Sequence, residues 1–165
     1  MIHKLITSFL LVVTALGCWL AYYYSDKKVI ERQFDGLAVE LGKEGQETAL
    51  QTALKIREIT KILADSCLVR IPERSYEEPL EQDMIIRYLI YHRNRYAVIT
   101  VAFEDLLIDI PASGEAMVQS TVRLKRKKAN MTEAFEELSR VELALEKVNQ
   151  KWLIQEVMLP EALME

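Results

Sequence analysis

The feature that most constrains this chain is an uncharged, largely apolar run of 20 residues from Leu5 to Tyr24. Twenty residues in a helix extend about 30 Å, which is the thickness of the hydrocarbon core of a bilayer. Trp19 and Tyr22–Tyr24 crowd the C-terminal end of the run, and aromatic rings favour the membrane–water interface. We therefore predict an N-terminal transmembrane signal-anchor at residues 1–24, a juxtamembrane segment at 25–30 and a folded domain at 31–165.

Two alternatives concern Cys18. Ala15 and Gly17 are small residues at the two positions that a signal peptidase reads, so cleavage before Cys18 is one alternative. The other is that Cys18 carries the lipid of a bacterial lipoprotein. The apolar run continues beyond Cys18 as far as Tyr24, which favours an uncleaved anchor. The short tail before the helix is typical of anchors that export the domain on their C-terminal side, so we predict a single-pass protein of a bacterial inner membrane with a periplasmic domain.

The composition of the remaining chain excludes several classes of function. From Ser25 onward there are 20 Lys and Arg residues, all 21 of the chain except Lys4, against 25 Asp and Glu. This mildly acidic balance argues against a nucleic-acid binder. The chain has two His and two Cys residues without the spacing of a metal site, and it has no nucleophile motif or glycine-rich phosphate loop. We predict neither a metal nor a cofactor.

Hydrophobic spacing predicts three helices in the domain. Apolar residues at i, i+3, i+4 and i+7 predict the first helix over residues 26–41. Thr48 followed by Gln51 predicts a capping box that opens a second helix, which runs to about Ala64. The third helix is predicted to have Pro79 in its first turn and to bury the stripe Ile85, Ile86, Leu89 and Ile90.

Alternating residues predict five strands: Cys67–Pro72, Val98–Ile110, Ala116–Lys128, Val141–Glu146 and Trp152–Leu159. Asn149 and Gln150 are predicted to form a tight turn between the last two. Helices followed by a meander of long strands indicate an α+β fold, in which three N-terminal helices pack on a curved, mainly antiparallel sheet.

This order of elements resembles the nuclear-transport-factor-2-like superfamily. The resemblance covers about Glu31 to Leu159 and is most specific in the ending, residues 145–157, with its lysine-rich turn, Trp152 and an alternating last strand. The stretch from Phe103 through Pro111 to Ala116 is similar to the central hairpin of the superfamily. The resemblance implies a cone with a cavity between sheet and helices. Its members include isomerases, dehydratases, polyketide cyclases, transport adaptors and membrane-anchored secretion subunits, so the fold does not choose a function.

Enzymes of this superfamily place an acid or a His and a Tyr in the cavity, where apolar walls shift pKa values. The nearest candidates here are Tyr88, His92 and Asp105, with Tyr96 and Asp109 close by. Tyr88 and His92 are four residues apart and share a helical face, and Asp105 and Asp109 share a face of a strand. The alternative is that His92 is a helix-end cation and that the Asp residues are solvated.

One dense cluster of positive charge consists of Arg123, Lys125, Arg126, Lys127 and Lys128. It is a candidate for contact with anionic lipid headgroups or with an acidic partner. The alternative is a solvated hairpin tip that discourages edge-to-edge pairing of strands.

These observations leave three functional hypotheses. The first is a membrane-tethered, non-catalytic binding or assembly module of the bacterial cell envelope, with a protein partner or a small ligand. The second is a small-molecule enzyme of the isomerase or cyclase kind with an acid–base site in the cavity. The third is a homodimer through the sheet, for which Val118, Val122, Leu143 and Trp152 would form an exposed apolar patch.

Overall fold

The fold is described from a computed structural model, which defines residues 12–14, 17, 21 and 25–161. Most of the predicted membrane segment, including Cys18, lies outside these residues. Among the described residues, no helix is both long enough and apolar enough to cross a membrane.

Three α-helices, a short 3-10 helix (Pro72–Arg74) and a seven-stranded sheet form the body within residues 25–161. The α-helices are α1 (Asp26–Leu41), α2 (Ala49–Thr60) and α3 (Gln82–Arg95). The strands are β1 (Lys43–Glu44), β2 (Leu63–Ile71), β3 (Tyr76–Glu81), β4 (Val98–Ala112), β5 (Glu115–Lys127), β6 (Phe135–Val148) and β7 (Lys151–Met158). The predicted α+β plan, with helices on one sheet, is confirmed.

The sheet has the order β1-β4-β5-β6-β7-β2-β3. All pairs are antiparallel except β2 with β7, which run parallel, so the sheet is mixed. The predicted tight turn between the last two strands is confirmed. Asn149 and Gln150 have φ values of 50° and 66°, and two consecutive positive φ angles give the turn whose twist matches that of the flanking strands.

One face of the sheet, here called the inner face, packs against the helices and forms the core. Val118 and Val122 of β5 and Leu143 of β6 lie on it, together with Trp152 of β7, and all four are buried. The prediction that these four residues form an exposed patch is therefore wrong. Alternation separates two faces of a strand but does not say which face meets the helices.

Helix α1 packs against the sheet from its first turns onward. Ile30 and Phe34 are almost completely buried, and the Phe34 ring meets the Phe103 ring edge-on at 5.1 Å between centroids. The Asp26 carboxylate pairs with Lys147 Nζ at 2.6 Å. The structure thus places residues 26–30, predicted as juxtamembrane, in the first turns of α1.

The prediction that Pro79 lies in the first turn of the third helix is wrong. Pro79 lies in strand β3, opposite Leu68 of β2. Since β3 is the edge strand of the sheet, the proline can turn the position of its missing N–H towards the unpaired side. Helix α3 starts three residues later, at Gln82. The second helix also ends earlier than predicted, at Thr60, and β2 begins at Leu63.

Candidate functional site

The structure brings Tyr88 and His92 together on the solvent side of α3. Together with Met84, Arg87 and Tyr91 they line a shallow depression of ≈ 360 Å³. Burial, and then the nearby charges of Arg95 and Arg126, lower the pKa of His92 below its usual 6.5. A neutral imidazole at pH 7 can accept a proton or a hydrogen bond. Since Tyr88 is 51% exposed, this depression opens to solvent and not into the core.

Asp105 lies elsewhere, on the exposed outer face of the sheet. It occupies a bulge of β4 between Glu104 and Leu107 and has a φ of 51°. The extra residue shifts the alternation, so that Phe103 and Leu106 both pack against the core while Asp105 and Asp109 are exposed. Asp105 is not among the residues that line the depression containing Tyr88 and His92.

The inner face of the sheet is filled mainly by apolar side chains. Its buried polar residues are Ser120, Arg126 and Ser139. Ser120 Oγ donates to the Glu104 carbonyl at 2.8 Å, and Arg126 Nη2 pairs with Glu137 at 3.0 Å. The Arg126 guanidinium also lies over the rings of Tyr96 and Phe135, at 5.4 and 5.6 Å. Arg126 Nε is buried without a hydrogen-bond partner.

The predicted cationic cluster does not form one surface. Arg123 pairs with Glu104 at 2.6 Å and with Glu136 at 2.5 Å, and Lys125 also pairs with Glu136, at 3.2 Å. The hydrogen bonds from Arg123 lower the pKa of both carboxyl groups. Arg126 is buried on the inner face. Among the described residues, Lys127 and Lys128 are the members of the cluster without a carboxylate partner.

A larger concavity, here called the α2–α3 cleft, lies between the second and third helices. It has a volume of ≈ 960 Å³ and is open to solvent. Its middle is lined mainly by small and apolar side chains, with a few polar ones among them: Ala49, Thr52, Ala53, Ile56 and Thr60 from α2 and Ile90 and Asn94 from α3. Charged residues stand at its two ends, Glu47 at one and Arg57 with Lys61 at the other. Of the α2 side chains, only Ile59 is fully buried.

The Glu47 end of the α2–α3 cleft is closed by a buried ion pair. Arg93 is 5% exposed, and its Nε and Nη2 donate to the two oxygens of Glu47 at 3.0 and 2.7 Å. The same guanidinium donates to the carbonyls of Glu40, Leu41 and Gly42 at the C-terminal end of α1. One side chain of α3 therefore caps α1 and fixes the segment that leads into α2.

The ionisation of Glu47 follows from these contacts. Burial alone would raise its pKa, but the hydrogen bonds and charges of Arg93 and Lys55 outweigh burial and lower the pKa below 4.5. Glu47 is therefore an anion neutralised by two cations at pH 7, which makes it a structural group and not a proton donor.

Cys67 is buried in the core, and burial together with the charge of Glu156 raises its pKa to about 11. A thiol of this kind is not reactive. No three His, Cys, Asp or Glu side chains within the described residues are placed to hold a metal ion.

Comparison with known proteins identifies the fold. No family model matches the sequence, and no curated protein does either. Among similar solved structures is a candidate scytalone dehydratase from Novosphingobium aromaticivorans, with 16% identity, a TM-score of 0.65, and 81% of this chain and 82% of that chain covered. A type 2 hexachlorocyclohexane dehydrochlorinase has 7% identity, a TM-score of 0.63 and coverages of 81% and 83%. An NTF2-like protein from Cytophaga hutchinsonii has 15% identity, a TM-score of 0.60 and coverages of 82% and 98%.

At these identities the likeness shows the fold alone. The chain has the cone-like α+β fold of NTF2-like proteins, as the sequence resemblance implied. Proteins of that fold include enzymes as well as proteins of unknown function.

The sequence did not reveal the α2–α3 cleft or the Glu47–Arg93 pair. Basic residues in the last turn are typical of the C-terminal end of any helix, so nothing in the sequence marks Arg93 as a partner of the end of α1, 51 to 53 residues earlier in the chain. The sequence signal that could have pointed to a surface beside the cleft is the pair Leu50 and Leu54, four residues apart on α2. The structure leaves both side chains exposed.

Proposed function

We propose that this chain is a membrane-tethered, non-catalytic binding module of the bacterial cell envelope, which holds a protein partner or a small ligand in the α2–α3 cleft. The observation that carries the proposal is that the open cavity lies between two helices and not between the helices and the sheet. The inner face of the sheet is filled by packed apolar side chains, whereas the helical layer leaves a cleft of ≈ 960 Å³. Concave, mainly apolar sites with a few polar groups are the usual places for ligands.

The poor burial of α2 supports the same site. Leu50 and Leu54 are 69% and 51% exposed, although a helix of 12 residues gains most of its stability from packing. Exposed apolar side chains next to a cleft are typical of surfaces that are covered by a partner. The capping box of Thr48 and Gln51 and the Glu47–Arg93 pair hold α2 in place, so the surface is formed before anything binds.

The tether in this proposal is the apolar run that ends at Tyr24, immediately before α1. Ser25 is extended, with φ −60° and ψ 143°, so one non-helical residue directly precedes a helix that packs into the core. We propose that the domain lies on the periplasmic side. Alkaline phosphatase fused after Glu165 would then be active, and a stable but inactive fusion would place the domain in the cytoplasm.

The binding site is tested by photocrosslinking with the full-length chain in its native membranes. A photoreactive phenylalanine analogue replaces Leu54 beside the cleft or, as the control, the similarly exposed Leu107 on the outer face of the sheet. We expect a covalent adduct from position 54. Adducts from position 107 alone would contradict the cleft, and a species of twice the chain mass from that position would support the homodimer through the sheet.

A small-molecule isomerase or cyclase is the second candidate, and the specific observation in its favour is the low pKa of His92 beside Tyr88. If the depression on α3 is an acid–base site, cyclic carbonyl compounds should raise the melting temperature of the protein. His92→Asn should remove that shift while Asn94→Ala keeps it. A shift that persists in His92→Asn would count against the acid–base site.

A further inference from the structure

The body has two ends, and the α2–α3 cleft has a defined direction between them. The start of α1 and the β4–β5 and β6–β7 turns lie at one end, where Lys147 N donates to the Gly114 carbonyl at 2.8 Å and Lys147 Nζ pairs with Asp26. We call this the N-terminal end. The opposite end contains Gly42, whose carbonyl accepts from Lys55 Nζ at 2.8 Å.

Helix α2 runs from that opposite end back towards the N-terminal end. After it, Ile62 accepts a hydrogen bond from Ile154 N of β7 at 2.8 Å, and Ile154 is the fourth residue of a strand that starts at the N-terminal end. Glu47 therefore stands at the far end of the cleft. Arg57 and Lys61 stand at the end that is nearer to the apolar run preceding α1.

The charges at the two ends of the cleft are not equivalent. Glu47 is neutralised by Arg93 and by Lys55, at 2.7 and 3.0 Å. Lys61 pairs with Glu58 at 2.6 Å, whereas Arg57 lines the cleft, is exposed, and has no carboxylate partner among the described ion pairs. The cleft is thus mainly apolar along its middle, where Thr52, Thr60 and Asn94 are the polar lining residues, and cationic at the end nearer to the tether.

We propose that the α2–α3 cleft binds an anionic single-chain amphiphile of the fatty-acid class, with its carboxylate on Arg57 and its acyl chain along Ala53, Ile56 and Ile90. This inference rests on the proposed function and names its ligand. From Arg57, which would hold the carboxylate, back to Ala49 the lining extends about 12 Å at the rise of a helix. The acyl chains of one leaflet occupy about 15 Å, half the hydrocarbon core, so the cleft covers most of such a chain.

The chemistry of the cleft accounts for each part of such a ligand. Ala49 and Ala53 leave room beside the helix, because a larger side chain at either position would occupy the cleft. Ile56 and Ile90 provide an apolar floor for methylene groups. A guanidinium offers two parallel N–H groups to a carboxylate, and it stands where a molecule leaving the bilayer would keep its charged group near the headgroups.

The test uses the full-length chain in nanodiscs of phosphatidylcholine and palmitic acid with a photoreactive diazirine on its chain. After irradiation, mass spectrometry locates the label. We expect labelled peptides from α2 and α3, protection by excess palmitate, and no protection by hexadecanol, which has the same chain but no charge. Equal protection by hexadecanol would overturn the role of Arg57.

Two variants with matched controls separate binding from folding. Ala53→Trp fills the cleft from an exposed position of α2, and Leu107→Trp adds the same ring at an exposed position on the outer face of the sheet, away from the cleft. We expect the first to abolish labelling of the cleft and the second to leave it unchanged. Arg57→Glu should weaken labelling roughly tenfold, as expected for loss of a hydrogen bond to a charged group, and Arg87→Glu on α3 should not.

Cleft labelling that survives Ala53→Trp, or label confined to the rest of the chain, would overturn the amphiphile. The outcome of the crosslinking at Leu54 then decides the proposed function separately. If position 54 still captures a protein, the cleft is a binding site with a different occupant. If neither experiment finds an adduct there, the binding module fails together with its ligand.

Discussion

At the scale of single residues, Arg93 joins three parts of the chain that the sequence keeps apart. It neutralises the buried carboxylate of Glu47 and hydrogen-bonds three carbonyls at the end of α1. Arg93→Met should lower the free energy of unfolding by about 3–5 kcal/mol, because buried Glu47 keeps only Lys55 as a partner and three carbonyls at the end of α1 lose their donor. The fluorescence of buried Trp152 during urea unfolding measures the change. Arg95→Met, in the same turn but exposed, should change it by less than about 0.5 kcal/mol.

The pairing of Glu47 also predicts how stability depends on pH. Its pKa is lower in the folded chain than its usual 4.5. The stabilisation is therefore complete above pH 4.5 and is lost as the pH falls through the folded pKa. The difference in unfolding free energy between wild type and Glu47→Gln should be constant near neutral pH and should shrink below about pH 4.5. A constant difference down to about pH 3 would contradict the pairing. Both proteins contain His92, so its acid titration cancels.

Asp105 has a conformation that explains its residue type without catalysis. Its positive φ of 51° belongs to the β4 bulge, and Asp and Asn tolerate this region better than most residues. Asp105→Val should lower the unfolding free energy by about 1–2 kcal/mol, while Asp105→Asn should be nearly neutral. Asp109→Val, on the same exposed face without a positive φ, is the control. A tolerated valine at 105 would show that the bulge is not strained.

The helices and strands with a strong local sequence pattern were predicted correctly. The strands that depend on contacts with other segments of the chain were missed or cut short. Residues 26–41 form a helix as predicted because the core-facing spacing is regular. Strand β6 begins at Phe135, six residues before its predicted start. Its first part was not predicted because it contains the charged residues Glu136 and Glu137. Those carboxylates pair with cations of the neighbouring strand, and no pattern within one segment reveals such a partner. Strand β3 was missed for a related reason, since an edge strand can accept Pro79.

The α2–α3 cleft was missed because it is a gap between two helices, and a gap has no sequence pattern of its own.

Tyr88 and His92 were predicted to share a face, which the structure confirms by placing both in one depression. Which side of α3 that face meets depends on how the helix packs. Ile85 and Leu89 pack against the core, and this leaves Tyr88 in solvent.

The capping box at the start of α2 holds one wall of the α2–α3 cleft in place. Thr48 Oγ1 accepts from Gln51 N at 3.2 Å, and Gln51 Oε1 accepts from Thr48 N at 2.8 Å. Thr48→Ala should cost about 1 kcal/mol and should increase hydrogen exchange within residues 49–53. Ser25→Ala is the matched control, because Ser25 precedes α1 without a side-chain cap. Equal effects of the two substitutions would argue against the box.

If residues 5–24 tether the chain as proposed, the orientation of the long strands decides how far each surface lies from the bilayer. Strand β5 runs 13 residues from Glu115, at the N-terminal end, to Lys127, which is about 40 Å at the rise of a strand. Lys127 and Lys128 therefore lie at the far end of the body. In the proposed arrangement their distance from the tethering membrane is much greater than the Debye length of about 8 Å. We accordingly expect these lysines to make no contact with headgroups of the tethering membrane.

Energy transfer in nanodiscs tests this arrangement. With Cys18→Ser, a donor dye is attached at Asn149→Cys or at Lys128→Cys, and the acceptor is a headgroup-labelled lipid. Cys67 does not interfere, because it is completely buried and has a pKa of about 11. Asn149, in the β6–β7 turn beside the start of α1, should transfer strongly, and Lys128, about 40 Å further along the sheet, should transfer weakly. Equal transfer from the two sites would mean that the body lies on its side. Lys127 and Lys128 would then be able to reach the headgroups, and the cationic end of the α2–α3 cleft would no longer be the end nearest to the bilayer.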